Sequence, residues 1–224
     1  YSNLVDSSQF GFEPLLLNEI DKVYCYLPSM RGESPDKIHL NQFFHCEAEI
    51  KGNIEKLTPI IEMYIKTLEE TLLLMPNILE KLSLNYKRTT YILNKILELK
   101  KFPEITFDVA VNALIESGNK TLVKFTKVGR DISTEGEIKV AEIFNFDTPF
   151  WVKNYDRDRV AFYQKPDPSN LNKVVNADLI FRFKGNEIAD GPDLNNTKYV
   201  IKDSGQDSEG NQTPYYSSNK NSIF

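Results

Sequence analysis

The chain has 224 residues and 41% hydrophobic content, which is enough for one large domain with a substantial core. Its formal net charge of −5 argues against a generally basic surface for nucleic acid, so any RNA contact would have to be local. No secretory leader or apolar run of about 18 residues is visible, so we expect a cytoplasmic protein with no membrane partner. Cys25 and Cys46 lack the spacing of a zinc site.

The first half of the chain predicts a short helix, a hairpin and two longer helices. A short helix is expected from Pro14 to Ile20, after a strand or turn. Two runs rich in β-branched and aromatic residues, 22–30 and 40–50, flank a polar loop and predict a long antiparallel hairpin. Apolar residues then recur at helical spacing on both sides of Pro76, which predicts an amphipathic helical pair over 54–99 packed on the sheet.

The second half predicts further strands and two more helices. Thr106 or Asp108 is expected to cap a helix that runs to Glu116. A charged helix is expected around 135–144. Strand composition marks four segments, namely 122–125, 150–152, 160–164 and 174–183. The predicted fold class is therefore α+β, with a mainly antiparallel sheet flanked by helices.

The last part of the chain differs in composition from the rest. From Gly191 onward, Asn, Asp, Ser, Gly and Gln dominate, and few apolar residues remain to bury. We therefore divide the chain into a folded core over 1–190 and a polar tail over 191–224, which we expect to be poorly packed and mobile.

The loop of the predicted hairpin carries the most chemistry. Arg31 and Glu33 are two residues apart on a strand and so point to one face. The chain then returns through His39 to the aromatic Phe43. A cation, an acceptor and a stacking surface together suit a nucleotide. The residues by themselves also fit a solvated hairpin with surface ion pairs.

This stretch resembles motif 2 of the class II aminoacyl-tRNA synthetases, in the branch for asparagine and aspartate. The family pattern runs roughly FRAE, a loop, then RHLxEF. The resemblance implies that Arg31 holds the α-phosphate of ATP and that Glu33 receives the adenine amino group. It also implies that His39 lies near the terminal phosphates and that Phe43 stacks on adenine. We therefore expect ATP to bind here.

Other blocks resemble the amino-acid pocket of the same family. The segment SSQF is similar to SxQF, whose glutamine, here Gln9, contacts the amino acid. Phe12 stands where the aspartate-specific enzymes have a lysine, which favours asparagine. Glu47 and Glu49, in HCEAEI, resemble the IEPE of asparaginyl enzymes, whose first glutamate accepts hydrogen bonds from a side-chain amide. The residues alone leave open that these two acids are structural.

Three later blocks extend the resemblance to almost all of residues 4–191. FPEITFDVAVNAL is similar to FPRITYxEAI, and DISTEGE is similar to DLSTExE, which adds Asp131 to the pocket. PFWVKNYDRDRVAFYQK resembles PFFxTDYPxxxKAFYMK, whose second aromatic, here Tyr163, lines the pocket. Without the resemblance, Tyr163 would be interpreted as a core aromatic. The implied fold is a class II synthetase-like antiparallel sheet flanked by helices.

A group of acids near residue 180 resembles the magnesium site of the family. Asp178 and Glu187 match carboxylates that bind Mg²⁺ on the ATP phosphates, and Asp190 lies where a serine or glycine is usual. Magnesium prefers oxygen ligands and bridges phosphates to the protein. On composition alone these acids could equally be solvated. The cofactors implied by the resemblance are ATP and Mg²⁺.

The sequence departs from the family pattern near the end of the matched region. GGSQRE contributes an arginine that grips the substrate, whereas Asp190 to Leu194 contain none. Arg182 is the last arginine, so the arginine of motif 3 is not visible, and neither is motif 1. Transfer at the α-phosphorus would lose part of its charge stabilisation without a second arginine.

The resemblance implies an ATP-dependent ligase that adenylates an asparagine- or aspartate-like amino acid. Its expected partners are the amino acid, an acceptor that is either tRNA or a small amine, and a second copy in a homodimer. Two alternatives remain from the sequence: a stand-alone relative that forms an amide as an asparagine synthetase-like ligase does, and a non-catalytic domain that keeps nucleotide binding.

Overall fold

The computed structural model describes residues 7–32, 40–83, 85–160 and 164–181, together with the backbone of three short strands between 198 and 216. Six α-helices lie within these residues: α1 (Gln9–Leu17), α2 (Ile54–Leu73), α3 (Pro76–Leu82), α4 (Tyr86–Glu98), α5 (Phe107–Glu116) and α6 (Thr134–Ile143). The strands of the first half and centre are β1 (Lys22–Met30), β2 (Gln42–Ile50), β3 (Glu104–Thr106), β4 (Val123–Thr126), β5 (Gly129–Ile132) and β6 (Phe150–Lys153). The later strands are β7 (Pro166–Asp167), β8 (Asn170–Val174), β9 (Ala177–Ile180), β10 (Lys198–Ile201), β11 (Gly205–Gln206) and β12 (Gln212–Tyr216).

The predicted hairpin is confirmed, since β1 and β2 pair antiparallel from Lys22 opposite Ile50 to Met30 opposite Gln42. Residues that oppose each other share a face of the ribbon, as do residues two apart on one strand. Ser29 opposes Phe43, and Cys25 opposes Glu47, so the candidate residues Phe43 and Glu47 lie on one face.

Helix α1 packs against both strands of the hairpin, and it begins earlier than predicted. The expected start at Pro14 is wrong, because the helix begins at Gln9 and Pro14 lies inside it. The backbone N–H groups of Gly11 and Phe12 donate to the Ser8 carbonyl at 2.8 and 3.1 Å and form the first turn. Ser8 is itself held by the hairpin, so a tertiary contact fixes a start that local sequence signals do not reveal.

The helical pair predicted over 54–99 is three helices rather than two. Helix α3 begins at Pro76, a favourable first position for proline, and ends before Ser83, whose backbone is extended. Asn85 then starts α4, because its side chain accepts from the Arg88 N–H at 3.1 Å. The packing of α2 on α4 is as predicted: Ile65, Ile92 and Ile96 are buried together in the core.

The central sheet has four strands in the order β10-β9-β6-β3. Its pairs are antiparallel except for β3 with β6, which confirms a mainly antiparallel sheet. One face carries Trp151, whose indole N–H donates to Glu62 of α2 at 2.7 Å. The opposite face carries Phe150, Val152 and Ile180, which meet residues of α5 and α6. The sheet is therefore covered by helices on both faces.

The strand predicted over 174–183 is interrupted. Strand β8 ends at Val174 and β9 begins at Ala177, because the backbone of the two residues between them is used elsewhere. The Val175 N–H donates to Lys165 O at 2.9 Å, and Asn176 O accepts from Asn154 N–H at 3.1 Å. The strand predicted over 160–164 falls mostly on residues 161–163, which lie outside the described residues.

The remaining local predictions in the centre of the chain are confirmed. Thr106, rather than Asp108, caps α5 by accepting from the Val109 N–H at 3.3 Å. The strand expected near 122–125 is β4, which pairs with β5. The charged helix expected around 135–144 is α6, capped by Ser133.

Part of the predicted tail joins the central sheet. The backbone of β10 pairs antiparallel with β9, from Lys198 opposite Ile180 to Ile201 opposite Ala177. Residues 182–197 lie outside the described residues. The boundary at residue 190 and the mobility of the rest of the tail stay predictions. Among the helices that the structure describes, none is long and apolar enough to cross a membrane.

Helix α2 buries a carboxyl group, Glu69, whose Oε2 accepts no hydrogen bond in the described part of the chain. Burial raises the pKa of Glu69 from its usual 4.5 to about 8, against the opposing charge of Lys66. In the unfolded chain the group titrates near its usual value. The folded state therefore binds this proton more tightly, and Glu69 costs stability as pH rises from about 4.5 to about 8.

We predict that Glu69→Gln stabilises the protein at alkaline pH and has little effect in acid. At about 1.4 kcal/mol per pKa unit, the gain at pH 8 relative to pH 5 should be about 3 kcal/mol, because the amide carries no charge to desolvate. Urea unfolding of both proteins at the two pH values measures this gain. Glu70→Gln, at the neighbouring exposed position, is the control. Equal gains at both pH values would contradict a buried, titrating Glu69.

Candidate functional site

The loop end of the hairpin brings Arg31 and Phe43 together. The guanidinium carbon of Arg31 lies 5.0 Å from the centroid of the Phe43 ring. The backbone is fixed here, because the Arg31 N–H donates to Asn41 O at 2.8 Å and the Asn41 amide donates to Arg31 O at 3.2 Å. A flat aromatic face and a cation are therefore within reach of one ligand.

Of the four residues predicted to bind ATP, these two lie in the described part of the structure and are adjacent. Glu33 and His39 lie outside the described residues, so their roles stay predictions. An aromatic ring can stack on a base, and a guanidinium can pair with phosphate oxygens. The arrangement of Arg31 and Phe43 is consistent with a nucleotide site.

Farther along the same face, Glu47 holds the start of helix α1. The Ser7 hydroxyl donates to Glu47 Oε1 at 2.6 Å, and the Ser8 backbone N–H donates to Oε2 at 2.6 Å. Gln9, the next residue, is the first of the helix, and its N–H donates to Ser7 Oγ at 3.2 Å. The structure therefore brings two predicted substrate residues, Gln9 and Glu47, to one place.

Two other residues near Glu47 have positions that the sequence suggested. Glu49 opposes Val23 and lies two residues beyond Glu47, on the same face. Phe12 is the buried residue of α1, so it lies in the interface between the helix and the hairpin. Phe12 presents an apolar side chain at this position, where a lysine would present an ammonium group.

A buried histidine, which the sequence analysis did not single out, links the two parts of this face. His45 Nδ1 lies 2.9 Å from Ser29 Oγ and 3.4 Å from Glu47 Oε1. Its ring meets that of Phe43 edge to face, with centroids 5.0 Å apart. The one sequence signal for His45 is that it alternates with Phe43 and Glu47 along a strand, which puts all three side chains on one face.

The Ser29, His45 and Glu47 side chains do not form a nucleophilic triad. In such a triad the serine and the acid contact different ring nitrogens, so that a proton can pass through the imidazole. Here both contact Nδ1, and Ser29 is 0% exposed. Cys25 is no better a nucleophile, because burial raises the pKa of its thiol, although a hydrogen bond to Ser8 partly opposes the shift.

A second group of candidates surrounds a pocket between the central sheet and helices α5 and α6. Asp131, Glu137 and Tyr155 are its polar lining residues. Asp178 points to the same face of the sheet, opposite Val152, and is fully buried. Burial, and then the charge of Asp178, raise the pKa of Tyr155 well above its usual value. Tyr155 is therefore a neutral hydroxyl among carboxylates.

The carboxylate of Asp131 is fixed by Arg159, which lies in a short turn after β6. Arg159 donates to Asp131 Oδ2 at 2.8 Å, and the arginine side chain is largely buried. Tyr163, predicted to line the same pocket, lies outside the described residues. Asp131 therefore lines this pocket with a cation beside it that the sequence did not indicate, and its role in the substrate site stays a prediction.

Next to this pair lies a network of four charged side chains. Asp156 accepts from Arg130 Nε at 2.8 Å and from Lys173 Nζ at 2.7 Å, and Asp108 also accepts from both cations. Both cations lie 5.5 Å from the centroid of the Phe107 ring. Burial would raise the pKa of Asp156, but hydrogen bonds from Arg130 and Lys173 outweigh it and lower the pKa to about 2.

The network joins four separate parts of the chain around the pocket. Arg130 is on β5 beside Asp131, Asp108 is on α5, and Lys173 is on β8. Asp156 follows Tyr155 of the pocket. Gly129 is required for this close approach, because its φ is +133° and a Cβ there would lie 2.8 Å from Arg159 Cγ.

A magnesium site can be assessed only at Asp178, because Glu187 and Asp190 lie outside the described residues. A carboxylate is a suitable ligand for Mg²⁺. The described residues alone contain no group of three His, Cys, Asp or Glu side chains placed to hold a metal. The site predicted for Asp178, Glu187 and Asp190 therefore stays a prediction.

Comparison with known proteins identifies the family of the chain. The family model described as tRNA synthetases class II (D, K and N) matches residues 1–217. The chain is 32% identical over 209 residues to the asparagine–tRNA ligase of Mycoplasma genitalium. This match covers 87% of the chain and 45% of the M. genitalium protein. It is 30% identical over 215 residues to the asparagine–tRNA ligase of Pyrococcus abyssi, and this match covers 91% of the chain and 45% of the P. abyssi protein.

Solved structures of the same family are also similar to the chain. The asparaginyl-tRNA synthetase of Pyrococcus horikoshii in complex with asparaginyl-adenylate is similar with a TM-score of 0.65 and 27% identity. The match covers 79% of this chain and 38% of that one. The chain thus spans less than half the length of the relatives that it matches.

Proposed function

Because the chain belongs to the class II tRNA synthetases for aspartate, lysine and asparagine, we propose that it is the part of a ligase that activates asparagine with ATP. In this reaction a carboxylate oxygen of the amino acid attacks the α-phosphorus of ATP. The bond to the bridging oxygen breaks, and pyrophosphate leaves with that electron pair. The product is an aminoacyl adenylate. No side chain acts as nucleophile, so the protein has to position the substrates and neutralise charge.

The observation that carries the proposal is that one face of the hairpin presents both halves of such a site. Arg31 and Phe43 lie at its loop end, and Glu47 holds the start of α1 with Gln9 farther along. Phe43 and Glu47 are four residues apart on one strand, which is about 13 Å. That span suits an extended aminoacyl nucleotide, with its base on Phe43 and its amino acid beside Glu47.

The amino acid is asparagine in this proposal for two reasons. Glu47 is an acceptor, which suits the N–H groups of a side-chain amide and repels a second carboxylate. Phe12 supplies no cation that would attract aspartate. The related P. horikoshii protein, which has asparaginyl-adenylate in its structure, supports the same choice.

The remaining partners follow from the family. We propose tRNA as the acceptor of the activated amino acid and a homodimer as the working form. Mg²⁺, if held by Asp178 with Glu187 and Asp190, would neutralise charge on the ATP phosphates. Arg31 would pair with the α-phosphate, and Phe43 would orient the base.

The proposal is tested by exchange of labelled pyrophosphate into ATP, measured with the full-length protein and each common amino acid. Exchange that depends on asparagine, and that is weak with aspartate, is the expected result. Exchange with aspartate instead would overturn the assignment of the amino acid. If no amino acid supports exchange although ATP binds, the chain is a nucleotide-binding domain without this activity.

A further inference from the structure

We propose that His45 is a positioning residue that orients Glu47, and through it the Gln9 end of α1, toward the amino acid. The inference rests on the proposed function. It assigns a role to a side chain that touches neither reacting group. Its basis is the geometry around Nδ1, which lies 2.9 Å from Ser29 Oγ and 3.4 Å from Glu47 Oε1.

The two contacts at Nδ1 decide where the ring proton is placed. A carboxylate oxygen can only accept a hydrogen bond, so a lone pair on Nδ1 would face the lone pairs of Glu47. A proton on Nδ1 points instead into the space between Ser29 Oγ and Glu47 Oε1, which both accept. Glu47 therefore favours the ring form that carries this proton. His45 in turn provides a donor toward Oε1, the Glu47 oxygen that Ser7 also contacts.

Glu47 is then held by residues of two segments, the turn before α1 and strand β2. Ser7 Oγ and Ser8 N–H donate to it at 2.6 Å from the helix side, and His45 faces it from the neighbouring position of the strand face. Its carboxylate also fixes Ser8, the residue before Gln9. Loss of the His45 donor would let Glu47 rotate, and the start of α1 would shift with it. Binding of the amino acid should weaken, whereas the positions of Arg31 and Phe43 should not change.

Two polar variants separate the Nδ1 donor from the presence of a side chain. An asparagine amide occupies the position of Nδ1, whereas a glutamine amide reaches the position of the other ring nitrogen. We expect His45→Gln to raise the KM for asparagine about tenfold in pyrophosphate exchange. The KM for ATP should stay within about twofold. His45→Asn should restore most of the loss. Cys46→Ala, on the opposite face of the strand, is the control and should behave as the wild type.

A double-mutant cycle with Glu47→Gln tests whether His45 acts through Glu47. In the Glu47→Gln background, His45→Gln should raise the KM for asparagine by less than about twofold. Full additivity would overturn the proposal, and so would an unchanged asparagine KM in His45→Gln. Equal increases in both KM values would show a general loss of structure and would also overturn it. Absence of exchange by the wild type overturns the proposed function itself, so the two failures are distinct.

Discussion

Replacement of Arg31 by alanine is expected to lower asparagine-dependent pyrophosphate exchange about a thousandfold. Arg31 is fixed at the loop end of the hairpin, and its guanidinium lies over the Phe43 ring. A cation held in advance at this place can stabilise the charge that develops on the α-phosphate without reorganisation. A lysine supplies only a point charge, so Arg31→Lys should recover little of the loss.

The matched control is Arg157→Ala, which removes an exposed arginine that donates to a backbone carbonyl, Leu171 O. This variant changes the net charge by the same amount as Arg31→Ala, and its exchange rate should stay within about twofold of that of the wild type. Both variants should unfold at nearly the same urea concentration as the wild type. If Arg31→Ala keeps more than a tenth of the wild-type rate, the nucleotide does not depend on this end of the hairpin.

The second large effect is expected on stability. Asp156→Ala should lower the free energy of unfolding by about 3 kcal/mol, because it leaves Arg130 and Lys173 with Asp108, a more exposed carboxylate, as their shared acceptor. Lys173 is nearly fully buried and cannot turn to water to compensate. Urea unfolding at neutral pH measures the loss. Asp147→Ala removes the partner of Lys95 in an exposed pair and should cost less than about 1 kcal/mol.

The acid dependence of stability provides an independent check on this network. The pKa of Asp156 is about 2 in the folded protein, below its usual 3.8. Its contribution is therefore complete above pH 3.8 and is lost as pH falls toward 2. The wild type should lose stability through this window more steeply than Asp156→Asn. Parallel curves for the two proteins would show that Asp156 does not titrate as a member of the network.

The elements that the sequence predicted best are those whose signals are local. The hairpin was predictable because its strands are two aromatic and β-branched runs on either side of a polar loop. The cap at Thr106 was predictable from the residue type at the start of a periodic segment. The early start of α1 was not, because it depends on Glu47, about 40 residues away. The break at Ser83 is set by backbone conformation, which helical periodicity does not encode.

The candidate site follows the same division. The placement of Phe43 and Glu47 on one face could be predicted from strand alternation once the hairpin was known. The partners of Asp131 and Asp156 could not, since Arg159 and Lys173 reach them from other segments of the chain. His45 was missed because a histidine in a strand is more often a core residue than a functional one.

Direct detection of the aminoacyl adenylate tests whether the protein activates asparagine. The full-length protein is mixed with ATP, Mg²⁺ and asparagine in the absence of tRNA, and the bound product is identified by mass spectrometry. We expect protein-bound asparaginyl-adenylate from the wild type, and almost none from Arg31→Ala. Bound ATP without adenylate, with asparagine and every other common amino acid, would contradict the proposed function and leave a nucleotide-binding domain.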